Sequence, residues 1–306
     1  MAQISLSDTA FEGVRLIGRK PLAVLLWAVV IFVAAAIPVT LFFGTLVPAF
    51  LDLMRQSAAG AEPSPETMMK FQLRWMAANG PIMLCSLVAR AVLMSAIFRA
   101  VLRPQDSRFG YLRLGKAELL TGLVYLCIMI MMFLVIFGGM LVMIGLTVAT
   151  AFASKGAAVA VALVLGVALI VLLTWVILRL ILALPMTFAE GHFRMFEAWQ
   201  LSRGHALQLF FVALLAFAIV VVMEMVLGGV IGFAVIGAIA SHAGAAGGLG
   251  EVFHRPPAEW IGQLAPWLVI GGALFALFGA AAATIMYAPL AAAYRLLAPQ
   301  TEAEAV

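Results

Sequence analysis

The stretch from Leu22 to Phe43 carries no charged side chain, and neither does Leu119 to Ala153. About 20 consecutive apolar residues suffice for a helix to cross the hydrocarbon of a bilayer. Six such runs follow one another, about 22–43, 81–102, 119–153, 158–184, 209–240 and 266–297. Only Arg90, Arg99, Arg179, Glu224 and Arg295 place a charge inside them. Of the whole chain 65% is hydrophobic and 10% is charged, whereas a soluble domain carries about 25% charged residues. Too little polar surface exists to cover a water-soluble core. The expected fold class is all-α: a polytopic membrane protein of six transmembrane helices, forming a single integral domain over residues 1–306. Helices are required because lipid offers the backbone no hydrogen-bond partner.

Between the spans, the segment from Pro185 to His205 carries the most information. At helical spacing Phe188, Phe193, Phe196, Trp199 and Leu207 gather on one side, and Glu190, Arg194, Glu197 and Gln208 on the other. Such a segment predicts an amphipathic elbow lying in the membrane interface, a helix over 191–208 with its aromatic face down. Glu190, Phe193, Arg194, Phe196, Glu197, Trp199 and Arg203 are its candidate functional residues. The charged connection from Arg103 to Glu118 supplies Arg103, Arg108, Arg113 and Lys116 as candidate contacts for anionic headgroups.

Other connections carry local signals. Ser64, Pro65 and Glu66 read as an N-cap, a first-turn proline and an acid matched to the helix dipole. A short interfacial helix is expected to follow, separate from the span that begins at Pro81. Pro256 to Trp260 predicts another short helix. The last span is expected to break near Pro289, the third to kink near Gly138-Gly139 or project from the bilayer. Gly228 and Gly232 have the spacing of a close helix contact. The segments 11–16, 109–114 and 196–201 share an aromatic start and a leucine end, which raises three tandem units of elbow plus hairpin. Arg19-Lys20, the apolar run after it and Ala34 to Ala36 imitate a signal peptide. The long acidic lead and the apolar character past Ala36 favour a retained first span.

Six spans put both termini on one side. That side receives Arg15, Arg19, Lys20, Arg99, Arg103, Arg108, Arg113, Lys116, Arg179, Arg194, Arg203 and Arg295. The other receives Arg55, Lys70, Arg74, Lys155 and Arg255. Short basic loops stay in the cytoplasm, so both termini are expected there.

The sequence holds no G-x-S-x-G, no H-E-x-x-H, no P-loop and no pair of carboxylates in one span. No enzyme activity, cofactor or metal is expected. His242, Glu251 and His254 share a loop and are read as solvated residues rather than ligands. Cys85 and Cys127 read as buried small hydrophobes, since their count and spacing exclude a CxxC pair. Arg90 and Glu224 fall at similar depth in their spans, and an ionised residue there is costly alone. They are expected to form an intramembrane charged pair.

The stretch Leu184-Pro-Met-Thr-Phe-Ala-Glu-Gly-His-Phe-Arg-Met-Phe-Glu-Ala-Trp-Gln-Leu-Ser-Arg-Gly204 resembles a segment of bacterial multi-span proteins. These are related to the membrane domain of glycerophosphoryl diester phosphodiesterase. Arg108 to Glu118 resembles the second elbow of an uncharacterised, mainly alphaproteobacterial branch. The resemblance implies an inner-membrane helical domain, sometimes fused to a phosphodiesterase barrel. Such a barrel takes about 250 residues of alternating strands and helices, and no stretch here has that pattern. The resemblance therefore brings no catalytic residues. The expected function is non-enzymatic: organising or sensing membrane lipids or partner membrane proteins, with no nucleic acid involved. The alternative is a transporter for a small solute or lipid, with Arg90 and Glu224 in its pathway.

Overall fold

The computed structural model describes residues 5–58, 64–230, 232–233, 236–237, 240–241 and 257–298. Among them every regular element is helical. The short α1 (Leu6–Ala10) and α2 (Glu12–Arg19) lead into α3 (Pro21–Leu41), which continues through a π-helical turn at Phe42–Leu46 into α4 (Val47–Ala58). Three long helices follow: α5 (Pro65–Leu102), α6 (Lys116–Ala151) and α7 (Lys155–Leu180). Next come the short α8 (Ala183–Glu190) and α9 (Met195–Leu201). α10 (Ala206–Met223) runs into a second π-helical turn at Glu224–Gly228, and α11 (Pro257–Leu297) is last. Six helical stretches are long and apolar enough to cross a membrane: Pro21–Phe50, Pro65–Leu102, Arg108–Ala151, Lys155–Glu190, Ala206–Gly228 and Val269–Leu297. Each contains or overlaps one of the six apolar runs, and the chain has the make-up of a membrane protein.

Several local expectations are corrected. The helix begun at Ser64 does not stop before Pro81 but continues to Leu102 as one element. Its cap is as expected, with the Ser64 hydroxyl accepting the Thr67 amide at 3.2 Å. α11 is likewise continuous from Pro257, without a separate short helix and without a break at Pro289. A proline removes only one backbone donor, whereas interrupting a helix in lipid would strand several groups. α6 passes Gly138-Gly139 as one helix. Its 36 residues rise about 54 Å against about 30 Å of hydrocarbon. Cys85 and Cys127 are half-buried rather than buried. His242, Glu251 and His254 lie outside the described residues.

The chain forms two compact units. The first comprises Met1–Gly13, Met94–Ala216 and Met286–Val306. In it α6 and α7 pack along each other, joined at a turn where the Ser154 hydroxyl accepts the Ala157 amide. Gly139 makes the approach possible, because a Cβ there would strike the Leu169 side chain. Ile97, Phe98, Tyr111, Val124, Phe188, Leu209 and Val212 are buried in this unit. The second unit comprises Val14–Leu93 and Phe217–Ile285. There α3 meets α11, where Gly272 faces the Phe32 ring and Gly279 faces Ile31. A Cβ added at Gly228 or Gly232 would meet nothing within 4 Å among the described residues, so that spacing does not mark a close contact.

Candidate functional site

The last turn of α5, the first of α6, the end of α7, the segment α8–α9 and the end of α11 come together in the first unit. There these ends converge on charge.

Arg99 stands in the last turn of α5 and Glu118 in the first turn of α6. Their side chains are 6% and 5% exposed and form a direct ion pair, Nη2 to Oε1. Arg99 also donates from Nη1 to the Tyr111 carbonyl. Burying two charges costs several kcal/mol per ion, and the pair is tolerated only with further hydrogen bonds. Glu118 gains from the partial positive charge at the α6 N-terminus as well.

The Tyr111 carbonyl is aimed by an unusual backbone. Phe109, Gly110 and Tyr111 have φ of 51°, 62° and 68°. For a residue with a Cβ the left-handed region costs about 1–2 kcal/mol. What holds Tyr111 there is its ring, buried, with the hydroxyl donating to the Pro104 carbonyl at 3.0 Å. The same turn sends Phe109 outward, 84% exposed.

α8 contributes the other wall. The Phe188 ring is fully buried, with the guanidinium carbons of Arg99 and Arg103 at 5.3 and 5.7 Å from its centroid. Both lie within the range of a cation–π contact. Phe98 packs at 6.1 Å from the same ring, and Tyr287 meets Phe98 edge-on. Arg103 donates to the Ala189 carbonyl at 3.0 Å and Arg295 to the Val101 carbonyl at 3.5 Å. Two arginines thus serve carbonyls at helix ends, which have no partner within their own helix.

Beyond α8 the chain turns at Gly191, φ 70°, whose amide donates to the Thr187 carbonyl. Glu190 accepts the Tyr294 hydroxyl at 3.2 Å and pairs with Arg194 at 2.9 Å. Arg194 also reaches Glu197 at 3.1 Å. The expected helix over 191–208 is corrected here: α9 covers only Met195–Leu201, and Gly204 at φ 82° precedes α10. Left-handed glycines end helices on both sides, and a periodic count runs straight across them. The single aromatic face is divided as a result. Phe188 is buried, Phe193 and Phe196 are exposed, and Trp199 stacks edge-to-face on Trp175 at 5.0 Å.

Of the other candidates, Arg113 pairs with Asp106 at 3.3 Å. Arg108, Lys116 and Arg203 occupy exposed positions. Arg90 and Glu224 are exposed in the second unit, Glu224 as the first residue of a π-helical turn. Arg99, Glu118, Tyr111 and Tyr294 were not among the sequence candidates. The available signal was Glu118, an acid amid basic residues at a helix start. No group of three or more metal-ligating side chains occurs among the described residues. Compared with known protein families, with curated proteins and with solved structures, the chain matches none.

Breaking one partner of a buried pair strands the other charge and costs about 3–5 kcal/mol, whereas replacing both with apolar groups is often neutral. Glu118→Leu or Arg99→Met should therefore lower the melting temperature of the purified protein strongly. The double variant Arg99→Met, Glu118→Leu should recover much of the loss. Additive losses in thermal denaturation would contradict the coupling.

The Glu197 carboxyl is held below its ordinary value of 4.5, first by a hydrogen bond from its own backbone amide and then by Arg194. A carboxyl depressed in the folded state stabilises fully above its unfolded pKa and loses that contribution as pH falls through the folded value. Acidification below pH 4.5 should lower the melting temperature of the native protein, and less so for Glu197→Gln. The effect is small because the carboxyl is exposed. Superimposable acid profiles for the two proteins would exclude it.

Proposed function

We propose that this chain is a non-enzymatic bacterial inner-membrane protein that organises or senses lipids or partner membrane proteins. It does so from its cytoplasmic rim, with both termini in the cytoplasm. Its kinship to the membrane domain of glycerophosphoryl diester phosphodiesterase belongs to the same proposal. One observation carries the reading. The buried charges of Arg99 and Glu118 at two helix ends are engaged with each other, while the connections beside them present aromatic and basic residues outward. Phe109 is 84% exposed and Phe196 is 77% exposed, and Arg108, Lys116 and Arg203 are exposed beside them in sequence. Aromatic rings and long basic side chains at the ends of spanning helices suit the headgroup layer, where ring and stem are apolar and the charge meets phosphate. A rigid hub that projects such a rim is suited to hold lipid or a neighbouring protein in a fixed place. Purification in native lipid followed by mass spectrometry should find anionic lipid or a partner chain retained stoichiometrically. Phe109→Ser with Phe196→Ser should lose it while remaining folded. Retention of neither species by the unaltered protein would defeat the reading.

A transport reading draws on a different observation. Glu224 opens a π-helical turn inside an apolar stretch, and π-turns in helices recur at functional sites. In that reading Arg90 and Glu224 pair and line a path. A double-mutant cycle in lipid with Arg90→Met and Glu224→Gln should then give a coupling of about 0.5–3 kcal/mol. Strict additivity would remove the pair.

A further inference from the structure

Arg179 differs from the arginines of the hub. It stands in the last turn of α7, 24 residues from Lys155 at the start of that helix. That separation rises about 36 Å, enough to put the two cations at opposite edges of about 30 Å of hydrocarbon. Its guanidinium carbon lies 5.7 Å from the Trp175 ring and 6.0 Å from the Trp199 ring. The two indoles contact each other edge-to-face, and together they form a corner around the cation. The corner is built from two elements: Trp175 precedes Arg179 by one turn of α7, and Trp199 comes from α9. Ser202, which caps α9, donates to the Arg179 carbonyl and fixes the junction.

Among the described residues no carboxylate pairs with Arg179. Nε and Nη1 of Arg179 are sealed from solvent and have no hydrogen-bond partner among the described residues. Elsewhere in this unit Arg99 has Glu118, Arg194 has Glu190 and Glu197, and Arg103 has a carbonyl. A guanidinium stays charged at any physiological pH, and buried donors without acceptors are rare in finished structures. Guanidinium is also the side chain best matched to phosphate, which it meets through parallel hydrogen bonds. Trp175 is exposed and Arg179 itself is partly exposed, so the corner borders the surface of the unit.

We propose that Arg179, flanked by Trp175 and Trp199, is a binding site for a phosphate group, as carried by an anionic phospholipid headgroup or by free phosphate. The site rests on the lipid-organising reading above and names its ligand chemistry. Trp175 and Trp199 position the cation, and Arg179 supplies the donors.

The test uses the full chain in detergent, with thermal stability as the readout. Phosphatidylglycerol should raise the melting temperature of the unaltered protein more than phosphatidylcholine does. Arg179→Gln should lose that difference, corresponding to about a tenfold or greater fall in affinity for losing a charged hydrogen bond. Arg179→Lys keeps the charge without the fork and should retain part of it. Inorganic phosphate added alone distinguishes the sources: an equal, Arg179-dependent shift assigns the site to free phosphate, and no shift assigns it to lipid. Should Arg179→Gln fail to fold, a headgroup-photoreactive phosphatidylglycerol gives the answer on the unaltered chain, by labelling the peptides that hold Trp175 and Trp199. Labelling confined to other segments overturns the site. So does an undiminished response in Arg179→Gln, which leaves the lipid-organising reading standing. Indifference of the unaltered protein to phosphatidylglycerol and phosphate alike overturns the lipid reading together with the site.

Discussion

The buried ion pair between Arg99 and Glu118 is the constraint on which the first unit depends. It joins the end of one spanning helix to the start of the next across the connection 103–115. Neither charge has water to fall back on, so each geometric demand of the pair passes to its neighbours. Arg99 requires a second acceptor, and the Tyr111 carbonyl provides it. That carbonyl is in place only because three successive residues adopt left-handed backbone. The backbone cost of two non-glycine residues there is offset by the buried Tyr111 ring and its bond to Pro104. The Phe188 ring then covers the open face of the guanidinium, bringing α8 against the pair.

From α8 the order propagates outward in polar steps. Glu190 ties the elbow to α11 through Tyr294, and Arg194 ties it to α9 through Glu197. Exposure rises along this series, from the sealed pair at Arg99 to partly exposed side chains at Glu190 and Arg194. The energetic weight falls in the same direction, since partly exposed pairs contribute only about 0–1 kcal/mol. The side chains of the outermost residues, Phe109, Phe196 and Arg108, point away from the hub and are exposed.

The spanning helices were legible in the sequence because lipid leaves so few alternatives. A long uncharged run in a chain that is 65% hydrophobic has no other stable state. Helix boundaries were less legible. Pro81 and Pro266 looked like starts because proline often opens a helix, yet in lipid the continuous helix wins over a separate interfacial one. The elbow failed for the opposite reason: Gly191 and Gly204 end helices that a periodic count runs through. The buried pair Arg99–Glu118 was not legible in the sequence. Arg90 and Glu224 stand out by depth within their spans, whereas the structure's buried pair lies at the rim, between residues 19 apart in sequence. Depth is a property of one span at a time. Convergence depends on how two helix ends are folded toward each other by a loop, and the left-handed turn at Phe109–Tyr111 has no periodic signature.

Arg99 and Arg179 show how little residue type alone decides at a membrane edge. Both are arginines in the last turn of a spanning helix, and both lie beside aromatic rings. Arg99 has a carboxylate and a carbonyl, so the protein has completed its coordination and an outside anion would only compete. Arg179 has two indoles and a sealed edge. Indole faces attract a cation but cannot accept its hydrogen bonds as an anion does. The α6 side chains packed against the neighbouring Val176–Leu180 cluster, Cys127 and Met131 among them, are apolar. The hub is therefore closed by its own charges, and the Trp175–Arg179–Trp199 corner is built to be closed by a phosphate from outside the chain.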